Sequence, residues 1–535
     1  MNNAIISLLV YATTLISANQ HGTNEQQIHH VERLSVLGAI CCGLALCNQH
    51  TSLLLITILV PYVIWIMVKL RCLSIVLICK LTVSFAFGLA PYTYLVLSSL
   101  RGVTPGSWGD LTTIQGLWTH VSRSEYGTWQ LGPGNIGQES MMERHLAYAQ
   151  HLIGDFSLIG FSLVFVGIGV SAKCKITRGW HFTLFGSLVI YLSMWHGIFS
   201  NLPLKTNSMA AAVHSRFWMQ PDILISIYSG LGMAFVLEMF TLFPLATTSI
   251  NTRNTLSWTL GVLIMGLCLS PNTIFWREKF SHQNHSRRAV MQSYGHTLLK
   301  TIPNNSLLVS HSDLNWNVVR YLQVCEQYTP NVTHVMVQLM PYRWFQQRHT
   351  IWYPKVSFPA LPKNGRIETN RYSEGNAEIV GNFLSANNAN FKGGVFVEMQ
   401  AIDERQIGAG GLWNQHNVTL VQWGFVYRVF SPPLTTLLIE KYHLKSLQLL
   451  EQVEHEFRPF LGLSFSEGSW EYAALSVFWD MNYELAISML SHARAIVADE
   501  KRTESLLVRY MIILDRASKI LWRSLYAKRS KGTLK

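Results

Sequence analysis

Three short stretches carry side chains suited to handling a sugar or a phosphate. In LALCNQHTSLLL, residues 44–55, the polar run Asn48, Gln49, His50 and Thr51 interrupts two apolar segments. Amides and an imidazole at membrane depth are costly unless they line a cavity or are buried against protein. The alternative is a plain turn between two short helices. In WGDLTTIQGLWTHVSRSEYGTW, Trp108, Asp110, Gln115, His120, Arg123, Glu125 and Tyr126 alternate with Trp118 and Trp129. Aromatics with spaced polar groups suit an interfacial helix that meets a sugar or a lipid headgroup. An amphipathic surface helix with a solvated charged face would read the same way. Asp110 and Glu125 are the strip's only acids, and hence its candidates for acid–base or metal roles. In HSRFWMQPD, Arg216, Trp218 and Gln220 precede another apolar run. An arginine there can grip a phosphate bidentately, or it can serve with the tryptophan as a membrane anchor.

These stretches need apolar elements to position them. Of the 535 residues, 49% are hydrophobic and only 13% charged, against about 25% charged in ordinary soluble proteins; mean hydropathy is +0.20. The apolar runs fill the first half, and predicted spans fall at 3–17, 34–47, 53–68, 73–100, 152–172, 180–200, 222–246 and 255–275. Lys69 and Arg71 sit in one short connection, and Lys173, Lys175 and Arg178 in another. Positive charge in short loops marks the cytosolic side. On that rule the three polar stretches, and everything after Phe275, face the lumen. The sequons at Asn284, Asn304, Asn331 and Asn417 all follow the last span, on that same side.

Three regions follow: a multi-span membrane domain at 1–275, a luminal domain at 276–435 and a luminal helical region at 436–535. The middle region opens with a strand at 306–310, a helix at 317–327 and a second strand at 332–339. Amphipathic stretches near 436–457, 470–496 and 502–527 have lengths that suit helix pairs of the tetratricopeptide kind, without a repeat strong enough to assert one. The fold class expected is a polytopic α-helical membrane protein with a luminal α/β segment and a helical tail.

Several activities lack support. There is no Walker A loop, GxSxG elbow or HExxH motif. The net charge of +12 is scattered rather than gathered into a nucleic-acid-binding face. Five of the eight cysteines lie in apolar spans, with Cys72 at the edge of one, and no CxxC spacing marks a metal site.

CGLALCNQHT, WGDLTTIQGLWTH followed by SEYGT, RFWMQ and the later DLNWNVVRYLQ together resemble the transmembrane protein 260 family of protein O-mannosyltransferases, of the glycosyltransferase C superfamily. The likeness covers most of residues 1–340. It implies a multi-pass protein of the endoplasmic-reticulum membrane that moves mannose from dolichyl phosphate mannose to Ser or Thr of luminal, plexin-type receptor ectodomains. The partners implied are a lipid-linked sugar and a luminal acceptor protein, with no separate cofactor and no metal. Donor or acceptor binding then falls to Asn48, Gln49, His50, Trp108, Asp110, Glu125, Tyr126, Arg216 and Trp218. The family carries its catalytic acid in the first luminal loop, whereas here no Asp or Glu precedes Glu25, placed in a cytosolic loop. The expectation is therefore a chain lacking the catalytic loop, with an inactive membrane scaffold or chaperone as the alternative to a transferase.

Overall fold

The computed structural model describes the chain except for residues 21–23, 103, 106, 125–136, 175–177, 201, 205–208, most of 243–288, 341, 359–374, 403–406, 409–410, 462, 464, 466–467 and nearly all of 498–535. Two compact units emerge, one formed by Met1–Val103 with Asp110–Gln283, the other by Thr104–Gly109 with Asn284–Lys535.

The first unit is helical: α1 (Asn2–Ala18), α2 (Glu25–Asn48), α3 (Leu53–Lys69), α4 (Ile75–Gly88), α5 (Pro91–Leu100), α6 (Ile114–Val121), α7 (Met141–Lys173), α8 (Arg178–Met194) and α9 (Met209–Leu242). Local chemistry sets the helix starts. Asn24 accepts from the Gln26 amide ahead of α2, and Ser74 from Leu77 ahead of α4. Ser140 and Glu143 form a reciprocal capping box at α7. Glu25, expected in a loop, is the first residue of α2, where an acid favours the helix dipole.

Among the described residues, five helical stretches are long and apolar enough to cross a membrane: α2, His50–Lys69, α7, Arg178–Phe199 and Ala210–Met239. The single span predicted at 73–100 is a pair of helices, α4 and α5, bent by 49°. Pro91 starts α5 there and cannot continue the hydrogen-bond ladder of α4. The span predicted at 3–17 is α1, a shorter apolar helix of 17 residues. Most of the one predicted at 255–275 lies outside the described residues.

Helices α7 and α9 run parallel and meet backbone to backbone. A Cβ built on Gly167 would stand 1.9 Å from the Tyr228 carbonyl oxygen, and one on Gly232 would stand 2.0 Å from that of Leu163. Gly43 and Gly88 bring α2 and α4 together in the same way. Without a hydrophobic drive between helices in lipid, close approach through small residues is what packs them. The helix directions sort the ends of this unit. The starts of α1, α3, α7 and α9 and the ends of α2 and α8 share one end, tied by Gln49 to Asn2, Gln220 to Ser52, and Tyr191 to the Phe217 carbonyl. Lys69, Lys173 and Arg178 close or open helices at the other end, where Trp180 bonds Thr14 and His181 bonds Ser171.

The second unit holds a six-stranded sheet in the order β2-β1-β3-β6-β5-β4: β1 (Ser306–Ser310), β2 (Thr333–Met336), β3 (Gly394–Val397), β4 (Leu412–Trp413), β5 (Val418–Trp423) and β6 (Val426–Phe430). β1 pairs in parallel with β2 and β3, and the remaining pairs are antiparallel. Among its helices are α10 (Val290–Thr301), α11 (Asp313–Cys325), α12 (Gly375–Asn387), α13 (Thr436–Leu461) and α14 (Trp470–Val497). Leu308 and Phe396 face a core shared with α10, α11, α13 and α14, while Leu307, Val309 and Val395 face one shared with Val380 and Phe383 of α12. The strand–helix–strand start expected from sequence is β1, α11 and β2.

Candidate active site

Three irregularities of the backbone converge at the polar end of the first unit. Helix α7 is interrupted at Ser157, whose φ of 62° and ψ of 167° are not helical. α8 ends in a π-helical turn, Trp195–Phe199, and α9 carries Pro221 within it. A non-glycine at positive φ is strained, and such strain and π-turns concentrate at functional sites. These breaks frame one hydrogen-bonded cluster.

At its centre is the carboxylate of Asp222, the residue after Pro221. Tyr148 donates its hydroxyl to Oδ1 at 2.8 Å, and His151 Nε2 lies 3.2 Å from Oδ2. Both members of this pair are partly accessible, with side chains about one-fifth exposed, 21% for His151 and 19% for Asp222. Asp155 stands 3.7 Å from the same imidazole nitrogen. The Trp218 ring packs against Tyr148, His151 and His214, and its indole N–H donates to His196 Nε2 at 3.0 Å. Arg144, 2% exposed, anchors the flank: it pairs with Glu139 at 3.1 Å, donates to the Leu202 carbonyl at 3.0 Å, and approaches His214 Nε2 at 3.0 Å. A buried guanidinium needs this full set of partners, and the set fixes the segment before α9.

A second polar patch adjoins the start of α3. Gln49 accepts from Asn2 at 3.0 Å, and Gln220 donates to Ser52 at 3.2 Å. His50 Nε2 meets the Tyr92 hydroxyl at 3.3 Å. His120 and Arg123 lie near enough to His50 to act on it electrostatically. Burial, and then the Arg123 charge, lower the pKa of His120 on α6. The first and third polar stretches of the sequence thus meet through Gln220, and part of the second reaches His50.

The other expected residues are placed differently. Asn48 is exposed at the end of α2. Asp110 accepts from the Thr112 amide and hydroxyl, shaping the turn into α6. Trp108 belongs to the second unit, with ring centres 5.2 Å from Tyr342 and 5.7 Å from Trp344. Arg216 is exposed on α9 and makes no bond to the cluster among the described residues; Arg144 is the arginine found there. Glu125 and Tyr126 lie outside the described residues, as does Asn284. Asn304, Asn331 and Asn417 are exposed on the second unit. Sequence reasoning missed Tyr148, His151, His196 and Asp222. The signal available was ionisable side chains in or beside apolar spans, which by default mark function.

Comparison with curated proteins decides the kinship. Over 523 residues the chain is 26% identical to the protein O-mannosyl-transferase tmem260 of Dictyostelium discoideum, covering 94% of this chain. Over 362 residues, 67% of this chain, it is 30% identical to the mouse protein O-mannosyl-transferase TMEM260. The chain is a homologue of the TMEM260 proteins. It spans 60% of the Dictyostelium relative's length and 48% of the mouse relative's. No family model matches it, nor does any solved structure. For a TMEM260 homologue the cluster has apt chemistry: a carboxylate–imidazole pair that can take a proton, beside tyrosine and indole groups that hold it in place.

Proposed function

We propose that this chain acts as a protein O-mannosyltransferase of glycosyltransferase C-like architecture in the endoplasmic-reticulum membrane. Its polar end and its second unit face the lumen. The donor is dolichyl phosphate mannose, and the acceptors are Ser or Thr hydroxyls of luminal receptor ectodomains, plexin-type among them. The kinship to the TMEM260 transferases motivates the reading. The positions of Lys69, Lys173 and Arg178 away from the polar end support the orientation.

The observation that carries it is Asp222 held between Tyr148 and His151 at the polar end. The His151–Asp222 pair takes the acceptor hydroxyl's proton as the oxygen bonds to the anomeric carbon. The bond from that carbon to the phosphate oxygen breaks, and dolichyl phosphate leaves with the electron pair. The test is transfer of radiolabelled mannose from dolichyl phosphate mannose to a Ser/Thr-bearing ectodomain by the full chain in reconstituted vesicles. Asp222→Asn should lower the rate by about 100-fold or more, the range of positioned acid–base groups. Full activity in Asp222→Asn at wild-type expression rejects this assignment. Absence of transfer by the wild-type chain rejects the enzymatic reading.

A further inference from the structure

His196 holds a hydrogen-bond donor that the fold leaves unused. The residue sits in the π-turn after α8 and is only 3% exposed. Its Nε2 faces the Trp218 indole nitrogen at 3.0 Å. An indole N–H can only donate, so Nε2 must be the acceptor, and the neutral ring carries its proton on Nδ1. That Nδ1 is buried and has no hydrogen-bond partner among the described residues. Leaving a buried donor unsatisfied costs about 1–3 kcal/mol, and the fold keeps the arrangement beside the Asp222 cluster: the His196 ring centre is 6.1 Å from that of Tyr148 and 4.6 Å from that of His145.

We infer that His196 Nδ1–H binds a phosphate oxygen of the ligand used at this site. The inference rests on the proposed transferase reading and adds a residue to it. Polarity matching selects the atom. Asp222 offers acceptor lone pairs, which suit hydroxyl groups; His196 offers a lone donor, which suits an oxygen that can only accept. A glycosyl phosphate carries both kinds of group next to each other. Hydrogen bonds to a charged oxygen are about twice as strong as neutral ones, enough to offset the burial of Nδ1. Trp218 acts here as a positioning residue, since its indole fixes the tautomer.

The test is calorimetric binding of a short-chain isoprenyl phosphate to the detergent-purified full chain, beside isoprenol, inorganic phosphate and methyl mannoside. The amide nitrogen of His196→Asn stands near the place of Nδ1, and that of His196→Gln near Nε2. The expected result is binding of the isoprenyl phosphate but not of isoprenol, weakened about tenfold or more by His196→Gln and within about threefold of wild type in His196→Asn. Tighter binding of isoprenyl phosphate than of inorganic phosphate assigns the phosphate to a lipid; equal binding assigns it to a soluble ligand, with the role of His196 intact. Wild-type affinity in His196→Gln overturns the inference, as does His196-dependent binding of methyl mannoside without phosphate binding. Phosphate binding that depends on His196 in a chain that transfers no mannose keeps this inference and removes the transferase reading. Transfer that survives alongside unchanged binding in His196→Gln does the reverse.

Discussion

Alanine at Gly167 should pry apart the two helices that build the cluster. A Cβ there would lie 1.9 Å from the Tyr228 carbonyl oxygen, where side-chain contacts essentially never fall below 3.0 Å. The blocking atoms are backbone, so a rotamer change cannot relieve the clash, and the α7–α9 separation must grow by about 1 Å, the scale at which overpacking costs about 1–3 kcal/mol. Asp222 lies six residues before Tyr228, about 9 Å along α9 at 1.5 Å per residue. If the opening reaches that far, the bonds of 2.8 and 3.2 Å from Tyr148 and His151 stretch toward 4 Å, beyond hydrogen-bond reach. Gly169 is the internal control, because a Cβ there meets nothing within 4 Å and alanine is favoured over glycine in a helix by about 1 kcal/mol. Thermal unfolding of the purified chain in one detergent, followed by tryptophan fluorescence, should show Gly167→Ala melting several degrees below wild type, at about 2–4 °C per kcal/mol. Gly169→Ala should melt at or above wild type. Equal melting of the two variants would refute the backbone-to-backbone crossing on which the geometry of the site depends.

Three further outcomes follow from other parts of the molecule. Burial, and then the charge of Arg123, hold His120 below its ordinary value of 6.5. Imidazole NMR should find it titrating below that value and rising in Arg123→Gln, and its contribution to stability should be lost as pH falls from 6.5 through the lowered pKa. In the second unit, Glu398 accepts from the His311 and Ser312 amides at 2.7 and 3.0 Å; Glu398→Ala leaves both amides without that acceptor and should cost about 1–3 kcal/mol in chemical denaturation. If the second unit is luminal, endoglycosidase treatment of the cellular protein should shift its mobility in steps that disappear one at a time in Asn304→Gln, Asn331→Gln and Asn417→Gln. A wholly unglycosylated protein would count against that orientation.

How much of this was legible in the sequence depends on whether a feature is local. The polar run at Asn48–Thr51 stood out against apolar neighbours, and the structure joins it to Gln220 of the third stretch through Ser52. The β1, α11 and β2 segments announced themselves by their apolar runs, although α11 begins at Asp313 behind its Ser312 cap, four residues before the expected 317. β5 did not: it lies in the stretch from 340 to 435 where Asn, Gly, Pro and aromatic residues break up the apolar pattern, and its partner β6 follows after a turn of two residues. The cluster was hidden for a different reason. Tyr148, His151, His196 and Asp222 come from α7, the turn after α8, and α9, and only Tyr148 and His151, one turn apart on α7, are related by a helical spacing. Hydropathy hid them further, since His196 fell inside a predicted span and His151 and Asp222 at span edges. Yet the backbone departs from ideal helix at Ser157 and at the π-turn, and Pro221 removes a hydrogen-bond donor from α9, close to these side chains. Of those three breaks, only the proline was visible in the sequence. Strain kept where apolar helices would otherwise run straight is retained because the fold around it holds it there, and here the groups it surrounds are a half-buried carboxylate and an imidazole whose proton has no partner among the described residues.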